Sequence, residues 1–287
     1  MVWGVVVVVV SALGPATDVP GECRVPKGSN EAKLLAFYSG PVAFSPAGAP
    51  EQSRPWTLRL GAEVGFVPHP DSSIQQSSFC FIRKTEHTRL ASFFVRPRLT
   101  LTLPRGFAIE ASYLPPVDFH DAEANLASAA LSWTKRLRMA PTGDATRLML
   151  RVHGTAGEVK GSITCPQQAL QLADPMQACY GNSPSHDTFK PRMVGVEGIV
   201  STVAWDGRLA FYAGAGGNFL RPKFQVGFDN AQGFADTTVI AVDISRLAMF
   251  AGFTAAVTDK IDFSGQAYGV REDDVTFRLG GGYRLYR

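Results

Sequence analysis

The chain has 287 residues, 45% hydrophobic and 18% charged, with a formal net charge of +3. That length and apolar content allow one large β domain or two smaller domains, and no internal repeat divides the chain. So small a net charge, with no Lys/Arg run interleaved with aromatics, gives no footing for nucleic acid as a partner.

The first stretch, VWGVVVVVVSALG, has the length of a signal-peptide core and is too short to cross a bilayer as a helix. Small residues and prolines follow, so residues 1–16 are expected to be a signal peptide cleaved near Gly14 to Ala16, although no Lys or Arg precedes the run. The rival reading is a buried valine strand. Residues 17–54 are expected to form a periplasmic N-terminal segment and linker. Within them EAKLLAFYSGPVAF is apolar enough to dock as a tail, a short plug or an added strand, and SPAGAPEQSRP reads as linker.

From Ser53 onward the apolar residues alternate with polar ones. PWTLRLGAEVGF sets Trp56, Leu58, Leu60, Ala62, Val64 and Phe66 on one face and Thr57, Arg59, Gly61, Glu63 and Gly65 on the other. FFVRPRLTLTL repeats the pattern, with Val95, Leu99, Leu101 and Leu103 opposite Arg96, Arg98, Thr100 and Thr102. GFAIEASYL, NLASAALSWTKR, TRLMLRVHGTA, RMVGVEGIVSTVA, GRLAFYAGAGG, RLAMFAGFTAAV, IDFSGQAYGV and VTFRLGGGYRLY follow suit, giving ten strands. Most have the length, about nine to eleven residues, that a tilted strand needs to cross a membrane. Short turns (PRG, WDG, TDK) alternate with long connections, as in a meander whose two ends face different compartments; LRMAPTGD and REDD depart from that alternation.

One of the long connections carries CPQQALQLADPMQAC, where Cys165 and Cys179 are spaced to close a loop by a disulfide. With no CxxC pair and only His186 near, no metal or other cofactor is expected there. Cys23 and Cys80 remain without an assigned partner.

Arg59, Glu63, Arg96, Arg98, Glu110, Arg147, Arg151, His153, Glu197, Arg246, Asp262, Arg278 and Arg284 all fall opposite the leucine and aromatic positions. A lipocalin-like soluble barrel would put these charges outside, a membrane barrel inside, and both give the same alternation. Strand length, the signal-like start and the aromatics Trp56, Phe66, Trp133 and Tyr283 near strand ends favour the membrane.

The terminal RLGGGYRLYR adds a resemblance. Arg278, Gly280, Tyr283 and Leu285 fill the pattern polar, any, glycine, any, any, aromatic, any, apolar, although Arg287 follows Tyr286 at the end. The stretch resembles the last strand of bacterial outer-membrane β-barrel proteins, where this pattern is a sorting and assembly signal. The resemblance implies a Gram-negative outer-membrane location, outer-membrane lipid around the barrel and a barrel-assembly machinery as partner.

The expected fold is all-β, a single antiparallel up-and-down transmembrane β-barrel of about ten strands over residues 55–287. The expected function is non-enzymatic: a structural or binding barrel, or a narrow pore, whose lumenal charge network comprises Arg59, Glu63, Arg96, Arg98, Glu110, Arg151, Glu197, Asp262, Arg278 and Arg284. Its solute or ligand is not specified by the sequence. Two alternatives stand beside it. One is an outer-membrane hydrolase of the rim-protease kind, using His120 with Asp121 and His186 with Asp187 as oriented general bases; the other is a secreted lipocalin-like barrel binding a small ligand. Glu63 on the first strand is expected to pair with Arg278 on the last, and Gly280 and Gly282 to leave room for such long side chains.

Overall fold

The computed structural model describes residues 22–50, 54–80, 92–119, 122–137, 146–205, 207–271 and 274–285. The expected signal peptide, His120, Asp121 and the terminal Tyr286 and Arg287 lie outside them. Ten antiparallel strands form a closed ring: β1 (Leu58–Phe66), β2 (Phe93–Thr102), β3 (Phe107–Phe119), β4 (Ala122–Leu137), β5 (Thr146–Gly161), β6 (Met193–Ala204), β7 (Leu209–Leu220), β8 (Ile244–Ala256), β9 (Ile261–Val270) and β10 (Val275–Leu285). Each pairs with its neighbours in sequence, and β10 closes onto β1 from Arg278↔Gly65 to Leu285↔Leu58. All ten expected strands are in the ring, which leaves it no free edge.

The alternation resolves as a membrane barrel does. Phe277 and Leu279 are 61% and 55% exposed on the outer surface, while Arg278 between them is 2% exposed. The same inversion recurs at Leu60 against Glu63, Val95 against Arg96 and Leu99 against Arg98. A soluble barrel would show the opposite, so the outer belt of Leu, Phe and Val is matched to hydrocarbon rather than water.

The two ends differ. Tight connections after β2, β6 and β8 define a short-turn end, where β1 starts and β10 finishes. At the long-loop end β3, β4 and β5 run past their neighbours, and four short strands extend the sheet from β5. Asp187–Lys190 pairs with Val159–Gly161, Lys223–Gln225 with Asp187–Lys190, Val239–Ala241 with Lys223–Gln225, and Glu22–Arg24 runs parallel to Val239–Ala241.

Of the alternatives for the N-terminal segment, a short plug describes residues 40–50, which run through the lumen, whereas Glu22–Arg24 lies in the extension outside the ring. From Glu22–Arg24 at the long-loop end the chain enters helix α1 (Asn30–Ser39), then descends through the lumen to Pro50 and re-emerges at the short-turn end as β1. Ser29 caps the helix by accepting from the Ala32 N–H, and Pro41 just past Gly40 prevents its continuation. Ala32, Phe37, Ala43 and Phe44 are buried. An apolar stretch that water would otherwise surround is thus covered by the lumen, the extension strands and the long-loop connections, with Lys33 left exposed.

Candidate functional site

The lumen is built from inward positions two apart on successive strands, so the charges stack as rungs across the ring. Glu63 on β1 accepts from Arg96 (2.6 Å) and from Arg98, both on β2. Arg98 passes on to Glu110 on β3 (2.7 Å), Glu110 to Arg151 on β5 (3.1 Å), and Arg151 to Glu197 on β6 (3.0 Å). Glu197 ends the chain against His153 Nε2 at 3.3 Å. Carboxylate and guanidinium alternate, so no buried ion stands alone.

A second cluster lies at the short-turn end, where Asp262 on β9 joins Arg59 on β1 and Arg284 on β10, the latter at 3.1 Å. Gly282 makes that pairing possible: a Cβ there would run into the Arg59 guanidinium. Gly280 likewise makes room for the Ser264 hydroxyl. Gly280 and Gly282 are therefore lumen-facing gaps that neighbouring side chains fill.

Arginines outnumber carboxylates among these positions, and the N-terminal segment supplies the remaining acceptors. Arg96 donates to the carbonyls of Val42 and Ala43 (3.4 and 3.0 Å), Arg98 to Ser45 (2.7 Å), and Arg151 to Phe44 and Ser45. Phe44, 0% exposed, is the centre of this cage. The guanidinium carbons of Arg98, Arg96 and Arg151 lie 4.2, 5.1 and 5.1 Å from its ring centroid. Three desolvated cations over one ring form a strong electrostatic seat.

Arg278 does not sit on Glu63 as expected. It donates to the carbonyls of Gly40 (3.1 Å), Pro41 (3.3 Å) and Ala43 (2.8 Å) and to the Ser45 hydroxyl, and it stacks 4.5 Å over the Tyr268 ring. Glu63 is taken by the two arginines of its neighbouring strand, and the plug backbone offers Arg278 acceptors that sequence alone does not display. Of the other inward charges, Arg147 reaches the Pro50 carbonyl (3.5 Å) and Arg246 is buried on β8.

The plug is also fixed where it enters. Cys23 is disulfide-bonded to Cys80 in the β1–β2 connection. Glu31 on α1 accepts from the N–H groups of Ser78 (2.9 Å), Phe79 (2.7 Å) and Cys80 (3.1 Å) and from the hydroxyls of Ser77 and Ser78. Burial alone would raise the carboxyl's pKa, but these donors, the Phe79 amide first among them, outweigh it and hold it at about 2.

Cys165 and Cys179 are bonded to each other in the β5–β6 connection. Beside them Asp187 is fully buried, accepting from the Thr164 N–H and hydroxyl, the Ser185 hydroxyl and the Gly227 N–H, so its carboxylate shapes the loop. His186, the neighbouring residue, is exposed on the opposite side. Tyr283 and Leu285 of the terminal pattern face outward, and Arg278 and Gly280 inward.

Two cavities flank the plug. One of about 330 Å³ at the short-turn end has a mixed lining that includes Arg59, Thr100, Arg105, Glu110, Ser132 and Arg284. One of about 420 Å³ towards the long-loop end is mainly apolar.

No protein-family model and no curated protein sequence matches the chain. The chain resembles solved bacterial outer-membrane β-barrels. Among them are the outer membrane protease OmpT from Escherichia coli (8% identity, 84% of this chain and 99% of that one, TM-score 0.42) and the translocator domain of the autotransporter NalP from Neisseria meningitidis (10%, 89% and 95%, 0.38). A third is Ail, the attachment invasion locus protein of Yersinia pestis (11%, 81% and 100%, 0.31).

Sequence reasoning missed Phe44, Glu31 and the Cys23–Cys80 bond. The available signal was the apolar AFYSGPVAF stretch beside an unpaired arginine excess, which together ask for an acceptor-rich segment in the lumen.

Proposed function

We propose that this protein is a non-enzymatic outer-membrane barrel whose lumen is closed by its own N-terminal segment. In this reading the short turns face the periplasm, the long loops face outward, and the lumenal arginines hold the plug rather than conduct ions. One observation carries it: Arg96, Arg98, Arg151 and Arg278 each donate at least one hydrogen bond to plug carbonyls between Gly40 and Ser45. A barrel of this strand number has little lumen to spare, and the segment takes up what the side chains leave. The vestibule at the short-turn end then ends blindly on the plug at Pro46 and Ala47.

Among the described residues the His186–Asp187 pair does not favour the hydrolase alternative, because the carboxylate of Asp187 is consumed by four groups of its own loops; His120 and Asp121 lie outside the described residues. The test is conductance in planar bilayers. The intact protein is expected to give no stable current steps, whereas the assembled barrel from which residues 22–50 have been released, by cutting at a protease site engineered after Pro50 and reducing the Cys23–Cys80 bond, is expected to conduct with anion preference, since it would expose arginines stripped of their carbonyl partners. Stable steps from the intact protein would overturn the proposal.

A further inference from the structure

The wall of the ring is not uniform. β4 and β5 pair from Ala122↔Gly161 to Leu137↔Thr146, but β2 and β3 pair only from Leu99↔Ala111 to Thr102↔Ala108. Beyond Leu99, β2 stays with β1 up to Phe66↔Phe93, while β3 follows β4 through a register shift between Leu114 and Val117. Among the described residues the strands therefore part between Phe93–Arg98 and the second half of β3. The parted stretch of β2 spans about 20 Å of strand at ~3.4 Å per residue.

Prolines explain how a split can stand at membrane depth. An unpaired backbone N–H in hydrocarbon costs several kcal/mol, so walls of membrane barrels are normally zipped throughout. Pro97 on β2 and the Pro115-Pro116 pair on β3 have no N–H, so fewer donors are left to be orphaned along the parted stretch. Residues of this kind at both lips of one seam, with the β3 bulge at the same place, make the split a property encoded in the chain.

Behind the split lies the apolar cavity of about 420 Å³, a size within the range of ligand pockets. It is lined by both faces of β2: Val95, an outward residue of the belt, and Phe94, an inward one. It therefore borders both the belt and the lumen at β2. Its inner end rests on the plug at Tyr38 and Val42 and on Leu126 of β4. The polar groups at its back are engaged with one another: the Ser128 and Thr155 hydroxyls lie 2.9 Å apart, Thr155 also reaches the Val42 carbonyl, and the Arg96 terminal nitrogens are held by Glu63 and the plug.

We infer that the β2–β3 seam is a lateral port through which an acyl chain of a surrounding phospholipid enters the barrel wall and occupies this cavity. The mouth opens between the belt residues Phe93 and Pro97, where the medium is hydrocarbon, and the interior presents mainly carbon. The inference rests on the membrane placement proposed above. The plug gives the chain a floor, so the port leads to a binding site rather than to the other compartment.

The test uses the full protein in vesicles with phosphatidylcholine spin-labelled near the end of one chain, counting motionally restricted chains per protein by electron spin resonance. Leu126→Phe, which fills the cavity, should lose about one restricted chain per protein relative to the native form, and Ala127→Phe, on the outer face of the same strand, should lose none. The outer shell of restricted lipid should persist in all forms; its absence would refute the membrane placement instead. If Leu126→Phe does not assemble, Ala124→Leu, which also lines the cavity, serves in its place. An equal count in a folded, filled variant would overturn the port. So would restriction of labelled stearic acid alone, which would make the ligand a free fatty acid.

Discussion

Replacing Glu63 by Gln tests the lumenal network at its most constrained point. The carboxylate is buried and bridges Arg96 and Arg98, so the neutral amide leaves two guanidinium groups without their shared counter-charge. They are not equally harmed. Arg98 keeps Glu110 at 2.7 Å, whereas Arg96 retains only plug carbonyls and the faces of Phe44 and Phe94. Breaking a buried pair on one side costs about 3–5 kcal/mol, much of it the penalty of the ion left behind. The loss should therefore reside chiefly on Arg96, and Arg96→Met in the Glu63→Gln background should restore part of it, with a coupling of about 0.5–3 kcal/mol. Arg278→Gln should not rescue, because its donors hold Gly40, Pro41 and Ala43, and removing them adds a second injury to the plug. Denaturant midpoints of the four forms of each cycle, measured in one detergent or bilayer, give the two couplings. Additive losses for Glu63 with Arg96, or rescue by Arg278→Gln, would refute the assignment of partners.

Three further outcomes are expected. Leu99→Arg, on the outer belt, should cost about 2–4 kcal/mol and lower the yield of heat-modifiable barrel, while Thr100→Arg, directed into the vestibule, should be tolerated. Phe44→Leu keeps apolar volume but removes the face beneath three guanidinium groups, and should lower stability by about 2 kcal/mol or more, read as a shift in the denaturant midpoint. The Glu31 carboxyl is held at about 2 from its ordinary 4.5, so its contribution is full above about 4.5 and is lost as pH falls through about 2. The native midpoint should thus fall over that window more steeply than that of Glu31→Gln, and parallel curves would show that the Ser77 to Cys80 amides do not hold the carboxylate.

The ring was legible because period two survives dilution by glycine and alanine: Arg278 between Phe277 and Leu279 gives its face away whatever surrounds it. The same alternation fits a soluble barrel, and only the burial of Arg278 beside exposed Phe277 separates the two. The plug was not legible as structure. Its helix is covered on most sides, with only Lys33 exposed within it, so Leu34, Leu35, Phe37 and Tyr38 form no narrow stripe, and the plug's chief role is to offer carbonyl oxygens, which every residue carries. For that reason the partner of Arg278 was misassigned while Glu63 was placed on the correct face. The Cys23–Cys80 bond depends on the plug's route and could not be inferred before that route was known. Pro97 and Pro115-Pro116 were visible throughout, but proline on two separate strands marks a split only once those strands are known to be neighbours.

The direction of the plug constrains how the barrel comes together. Residues 22–50 run from the extension down through the lumen and β1 runs back up, so the two form one long hairpin whose open end is tied by Cys23–Cys80. Once β10 has paired with β1, a strand end and a helix carrying Phe37 and Tyr38 would have to be threaded through a ring already crowded with arginine. The workable order is the reverse: the hairpin forms first, and the later strands wind around it until β10 meets β1. The N-terminal segment is then less a stopper pushed into a finished pipe than the mandrel on which the pipe is wound.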